Sequence, residues 1–273
     1  MRILPLLATI VLLFAACRQA EKDIEKHYYF SKSENTVPLY LLFPPPPATD
    51  ILPTKEGSFG DWLASLPVDS AHTVLHYYTG DEALQQNGHA AIIDIPVKNN
   101  IQDSRKIIMR LYAEYLYQQG RYNELQFSNN EGNIINPKIW FSEKYPGQPF
   151  QFPYRDFRKY LNETLAAASW KSWMQKLEKI SRLEAQAGDI VYQKSGGGSH
   201  AMLIAAAANG RNGQRYHLYI EGATPPAEVH VVANNEQKVL SPWYPMIEGQ
   251  PVRTPYWVFN DKNYYRLVSD SSK

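Results

Sequence analysis

Cysteine is nearly absent from this chain: its 273 residues contain one, Cys17. No disulfide can form within a chain holding a single thiol, and no site built from several thiolates can hold zinc. An excess of either charge is also missing. The 28 lysines and arginines and 27 aspartates and glutamates are mixed along the chain and leave a formal net charge of +1. That balance gives no basic footprint for nucleic acid. The apolar run at the N-terminus, Ile3 to Ala16, is too short to span a bilayer comfortably. Hydrophobic residues make up 44%, ordinary for a globular fold, and the length allows one large domain or two small ones.

What is present starts at the N-terminus. Arg2 followed by that short apolar run has the layout of an export signal. The run ends in "LFAAC", which resembles the lipobox of bacterial lipoproteins, although Phe14 stands where leucine is usual. The resemblance implies cleavage before Cys17 and a lipid on that residue; a plain secretory signal is the alternative. An acylated Cys17 leaves no free thiol, which removes cysteine nucleophiles from consideration. The expected organisation is a signal over residues 1–17, a tether over 18–50 and a single domain over 51–273. The four prolines of "LYLLFPPPPATD" favour an extended segment in that tether, with Leu39 to Phe43 able to dock on the domain.

In "GSFGDWLASLPV", Ser58 is placed to cap a short helix bearing Trp62 and Leu63. The run Ala90 to Val97, rich in isoleucine and stopped by Pro96, reads as a buried strand. Apolar or small residues at 101, 104, 108, 111, 112, 115 and 116 share one helix face, and that helix ends at Gly120. A second long helix is expected from Tyr154 to Ile180, with Leu161, Leu165, Ala168, Trp173 and Leu177 on a stripe. The period then changes: "GDIVYQ", "HAMLIAAAA", "RYHLYIEGA" and "EVHVVAN" read as strands, with "NGRNGQ" as hairpin turn. Helices first and an antiparallel sheet afterwards imply an α+β fold.

The order of strand, helix with a polar start, "GD" strand and histidine-headed strand resembles papain-like cell-wall hydrolases of the NlpC type. That resemblance implies a papain-like fold, a helix packed on a small curled antiparallel sheet. It also implies a nucleophile at the helix start, a histidine base and a third polar group orienting it. Here Gly188 and Asp189 open the first strand, His200 heads the second, and Glu221 lies late in the third.

A closer match runs through "GSFGDWLASLPV", "GHAAIIDIPV", "MRLYAEYLY", "GDIV…SHAMLIAA", "PPAEVHVV" and "SPWYP". These resemble the domain of unknown function 4846 family, a group of bacterial, mostly Bacteroidetes, envelope proteins. The resemblance implies a family, not a reaction, and a place in the cell envelope, at the outer membrane. In the family's pattern a cysteine commonly stands where this chain has Ser104, and a glutamine where it has Glu221. Arg110 and Glu114 keep the family's helix motif, while Tyr112 replaces its second arginine; the pair reads as scaffold.

A thiolate at Ser104 would gain from the unpaired N–H groups of a helix start. A hydroxyl gains much less and needs a base, for which His200 oriented by Glu221 is the candidate. Each residue also has a bland role: Ser104 as a cap beside Asn100 and Asp103, His200 at a strand edge, Glu221 on an outer face. His72 and His76 are four apart, but "HTVLHYY" lacks a zincin glutamate, so no metal and no cofactor are expected. Aromatic residues mixed with proline in "SPWYPMIEGQPVRTPYWVF" suit a groove for sugars or peptides, with Trp243 and Tyr244 as its walls. The functional expectation is therefore a lipid-anchored envelope protein that binds a peptidoglycan fragment, glycan or peptide and lacks cysteine catalysis. A weak serine hydrolase using Ser104, His200 and Glu221, or a purely structural or protein-interaction lipoprotein, are the alternatives.

Overall fold

Strand formation spreads well beyond the five runs that announce it in the sequence. A computed structural model describes residues 28–268, apart from residues 32 and 261. Nine of its strands form one antiparallel sheet. They are β1 (Thr49–Ile51), β2 (His89–Ile92), β3 (Leu177–Ile180), β4 (Ile190–Ser195), β5 (Gly198–Gly210), β6 (Arg215–Glu221), β7 (His230–Val232), β8 (Trp243–Pro245) and β9 (Tyr264–Leu267). The order is β2-β7-β6-β5-β4-β9-β3, with β8 paired to β6 and β1 to β5.

The expectation of an α+β, papain-like or NlpC-like fold, a helix packed on a small curled sheet, is therefore incorrect: the protein is mostly β. The missing strands come from segments of three or four residues, too short to show a period of two. Thr49–Ile51 lies at the end of the supposed tether, and Leu177–Ile180 lies at the end of the supposed second helix.

That second helix is broken for a local reason. Helix α3 (Tyr154–Ala167) stops at Ala167; Ala168 takes an extended backbone at φ −61° and ψ 137°, and its N–H still reaches the Thr164 carbonyl. Ser169 then caps a new helix, Trp170–Met174, by accepting the N–H of Ser172, while its own N–H goes to the Ser128 carbonyl. Competition from a serine side chain and from a neighbouring segment outweighs the continuing apolar stripe.

Other local readings hold. Ser58 accepts the N–H of Asp61 and caps α1 (Phe59–Ala64). Helix α2 spans Ser104–Gln118, capped by Asp103, whose carboxylate accepts the N–H groups of Arg105 and Lys106. The β5–β6 hairpin turns at Gly213, φ +80°, inside the expected "NGRNGQ".

The sheet buries both faces. Ala201, Leu203 and Ala205 of β5 join Ile220 of β6 and Val231 of β7 in a core with Ile107, Ile108 and Leu111 of α2. The alternate residues Met202, Ile204, Tyr219 and Val232 pack in a second core with Met246, Val252 and Phe259. Period-two alternation thus separates a helix side from a loop side.

Helix α2 is tied down by a buried ion pair. Arg110 Nε lies 3.5 Å from Glu114 Oε1, and Arg110 Nη1 donates to the Pro96 carbonyl at 2.7 Å and Gln102 Oε1 at 2.6 Å. Glu114 also accepts from Tyr154 Oη at 3.2 Å and Arg158 Nη1 at 3.3 Å, both on α3 (Tyr154–Ala167). The pair holds α2 to α3 and to the 96–102 segment, not to the sheet.

Several residues between 28 and 50 lie against the domain. Tyr28 and Phe30 are buried beside Trp62, Leu39 is buried, and the Pro44 carbonyl accepts Trp243 Nε1 at 2.9 Å. Cys17, the signal and residues 18–27 lie outside the described residues. Among the described residues no helix is long and apolar enough to cross a membrane.

Candidate functional site

Three glycines and a serine precede His200, and the turn they make needs one of them. Gly198 has φ +146°, a conformation that side-chain-bearing residues rarely adopt, and it opens β5. His200 follows two residues later on the face shared by Met202 and Ile204. On β6 the register shifts between Leu218 and Tyr219, and the strand ends at Glu221, directly opposite His230 of β7. One carboxylate is thereby set between two imidazoles.

His200 Nε2 lies 2.8 Å from Glu221 Oε2. His230 Nε2 lies 3.5 Å from Glu221 Oε1, an ion-pair separation that makes no hydrogen bond. His230 Nδ1 is 2.9 Å from the Glu228 carbonyl; a carbonyl only accepts, so this nitrogen carries a proton. All three side chains are buried. Burial pushes the Glu221 carboxyl up, but His200 and His230 outweigh it and hold it down at about 2. Glu221 is therefore a fixed carboxylate that orients His200 through Nε2 and leaves Nδ1 as the second ring nitrogen.

His200 lies at the edge of a cleft of about 810 Å³ whose lining includes Gln85, Arg105, Lys194, Tyr256 and Trp257. Trp257 stacks on the imidazole with ring centres 5.6 Å apart and planes 17° apart. Phe259 meets it from another side at 5.9 Å. Tyr256 packs edge-on to His230 at 5.4 Å, and its hydroxyl donates to the Gln85 carbonyl at 3.3 Å. Burial first and the Glu221 charge second raise the Tyr256 phenol, which stays protonated. Gly88 permits this packing, because a Cβ there would overlap the Tyr256 ring.

The residues expected from sequence divide. His200 and Glu221 meet. Ser104 does not join them: it is the first residue of α2, fully buried, and its Oγ accepts the Ala201 N–H at 3.4 Å. Ala201 belongs to the helix-side core, whereas His200 stacks with Phe259 of the loop side. Trp243 and Tyr244 are buried in β8, donating to the Pro44 and Ala233 carbonyls, and neither lines the cleft. The aromatic walls are Tyr256 and Trp257, from "PYWVF" in the same proline-rich cluster. His230 was also missed; its alternation with Val232 in "EVHVV" was the available signal.

A second cleft of about 570 Å³ lies between Tyr112, Tyr115, Ala187 and Arg266. Three of its charged residues, Asp189, Arg266 and Arg121, are already engaged. Asp189 receives Arg266 at 2.9 and 2.7 Å and the Gln186 N–H at 2.8 Å, and Arg121 pairs with Glu124 at 2.6 Å. The His200 cleft is preferred because it adjoins the buried His200–Glu221 pair. Among the described residues, His72, His76 and Glu228 have the spacing to hold a metal ion, contrary to the sequence expectation of none.

These features define a mostly β protein with a His–Glu pair set at the edge of an aromatic-walled cleft. The chain belongs to the family described as Domain of unknown function (4846), whose model matches residues 42–266. The resemblance read from its motifs is thus correct at the level of family. Searches among curated proteins and among solved structures found no match.

Proposed function

We propose that the protein is a lipid-anchored envelope protein, held at the outer membrane through Cys17, whose His200 cleft binds a peptidoglycan fragment without turning it over. The observation that carries this reading is the fixed His200–Glu221 pair, 2.8 Å apart, beside Trp257 in a cleft of about 810 Å³. That volume falls within the usual range for a ligand of several rings. Trp257 and Tyr256 offer faces to sugar rings or apolar peptide side chains, and Arg105 and Lys194 offer positive charge to a peptide carboxylate. His200 Nδ1 is the polar group nearest the pair that a ligand can engage. Binding is favoured over hydrolysis because Ser104, the one expected nucleophile, is sealed on the helix side of the sheet. From NlpC-type cell-wall hydrolases the proposal takes a ligand class and not a fold.

The test is calorimetric titration with purified muropeptides, glycan chains and stem peptides. Saturable binding is expected with muropeptides, weakened by more than about tenfold in Trp257→Ala and in His200→Ala, and the ligand should be recovered intact. Absence of saturable binding by the wild-type protein sinks the reading. Anchoring is checked separately: Cys17→Ser should move the protein out of the membrane fraction, and mass spectrometry should find acyl chains on the wild type alone.

A further inference from the structure

The turn after residue 70 brings two histidines together, and a segment about 150 residues later supplies a carboxylate. His72 Nε2 lies 2.9 Å from Glu228 Oε2, and His76 Nδ1 lies 3.4 Å from the same oxygen. The two rings are 5.4 Å apart, centre to centre, and the three donor atoms lie within 4.8 Å of one another. Two donors each about 2.0–2.1 Å from a tetrahedral zinc ion stand roughly 3.3 Å apart. The observed separations bracket that value.

Hydrogen bonding alone leaves this cluster incomplete. Glu228 Oε2 already accepts the His76 main-chain N–H at 2.9 Å and faces His72 Nε2 at 2.9 Å. Those two contacts fill the in-plane acceptor positions of one carboxylate oxygen. His76 Nδ1, at 3.4 Å, makes no hydrogen bond there, yet its ring is turned toward that oxygen. A cation placed among the three atoms would engage His76 Nδ1 together with the other two. The backbone frame is also set in advance. Glu228 N–H donates to the His76 carbonyl and Tyr78 N–H to the Pro226 carbonyl, both at 3.0 Å, and Tyr77 bridges to Ala227. The His76 main-chain N–H donated to Glu228 Oε2 is the kind of outer contact that orients a ligating carboxylate. Side-chain exposures of 34%, 29% and 25% for His72, His76 and Glu228 let water reach a fourth position.

We propose that His72 Nε2, His76 Nδ1 and Glu228 Oε2 bind one divalent transition-metal ion, zinc by its donor set of two imidazoles and one carboxylate. The ion clips the 72–86 segment to the segment leading into β7. That segment carries one wall of the cleft: Gln86 holds Leu75 by two hydrogen bonds of 2.9 and 2.8 Å, and Gln85 meets Tyr256 and Pro255. The site does not depend on what the cleft binds.

The experiment is titration of the tag-free protein with zinc chloride by calorimetry, and with cobalt(II) followed by visible absorption. One ion per chain and the intense d–d bands of a four-coordinate cobalt site are expected. His72→Ala, His76→Ala and Glu228→Gln should each weaken binding by more than about tenfold, with unchanged circular dichroism in the absence of metal. A measurement on the wild type alone guards against variants that misfold: zinc should protect His72 and His76 from diethyl pyrocarbonate, as mapped by mass spectrometry. No stoichiometric binding, undiminished binding by His76→Ala or Glu228→Gln, or modification of both histidines unaffected by zinc would each overturn the proposal.

Discussion

Glu221 Oε2 sits 2.8 Å from His200 Nε2, on the face of the sheet opposite the helix that begins at Ser104. The imidazole is thus oriented and desolvated as a base would be, but the hydroxyl that sequence order assigns to it lies across β5, against the Ala201 amide. A strand points the side chains of neighbouring residues to opposite faces of the sheet. His200 and Ala201 are such neighbours.

This relationship predicts the behaviour of a thiol at Ser104. In a chain carrying Cys17→Ser and Ser104→Cys, the helix N-terminus favours the thiolate, whereas full burial opposes it and bars reagents. Access decides the outcome. Iodoacetamide should label the native protein at least about tenfold more slowly than the denatured one, and the rate should be unchanged by His200→Ala. Rapid labelling that His200→Ala slows would place the two residues in one site.

Removing the carboxylate should cost more than removing its charge. Glu221→Ala leaves His200 and His230 buried without their shared partner, and loss of one member of a buried ionic group costs about 3–5 kcal/mol. Glu221→Gln keeps an acceptor for His200 and loses only the charge-assisted part, roughly 1.5–3 kcal/mol. Urea denaturation monitored by tryptophan fluorescence distinguishes them. An alanine variant within about 1 kcal/mol of wild type would show that the contact carries little energy.

What sequence made legible follows from how each element announces itself. Helix α2 carries four turns of periodic apolar residues, and β5 and β6 are long, apolar and joined by glycine-rich turns, so each was visible alone. Strands β1, β3 and β8 are three or four residues long and become strands only because a neighbour pairs with them, which no local pattern records. Their omission turned a nine-stranded sheet into an expected small one. His200 and Glu221 were legible because polar groups at the ends of apolar strands stand out. Tyr256 and Trp257 were hidden in a cluster where Trp243 and Tyr244 looked equivalent; the difference, burial in β8 against exposure at a cleft, is set by long-range pairing. His72 and His76 were set aside because "HTVLHYY" lacks a zincin glutamate, whereas the carboxylate beside them, Glu228, lies 152 residues beyond His76.

Acid should destabilise the protein through a histidine outside the cleft. Burial first, with the Arg215 and Arg182 charges adding, lowers His217 from 6.5 to about 3. Its folded state favours the neutral ring, so the contribution is complete above about pH 6.5 and is lost as pH falls toward 3. Across that window the wild type should weaken relative to His217→Gln by up to about 1.4 kcal/mol per pH unit. Taking the difference between the two proteins cancels other groups that titrate there. Parallel stability curves for the two between pH 6.5 and 4 would show that His217 is not held neutral.

The buried pair on α2 should respond asymmetrically to substitution. Burial raises the Glu114 carboxyl, opposed chiefly by Arg110 and then Arg158, and Arg110 is lowered to about 10 by burial, opposed by Glu114. Each group is stabilised in the interior by the other, and Glu114 also by Arg158. Glu114→Ala leaves Arg110 charged and fully buried, with Pro96 and Gln102 as its remaining partners, and should cost about 3–5 kcal/mol. Replacing both, as Arg110→Met with Glu114→Leu, removes the charges together and should cost less than Glu114→Ala alone. A double-mutant cycle by chemical denaturation measures this, and a double variant less stable than Glu114→Ala would mean that the remaining contacts of Arg110, not its charge balance, hold α2 in place.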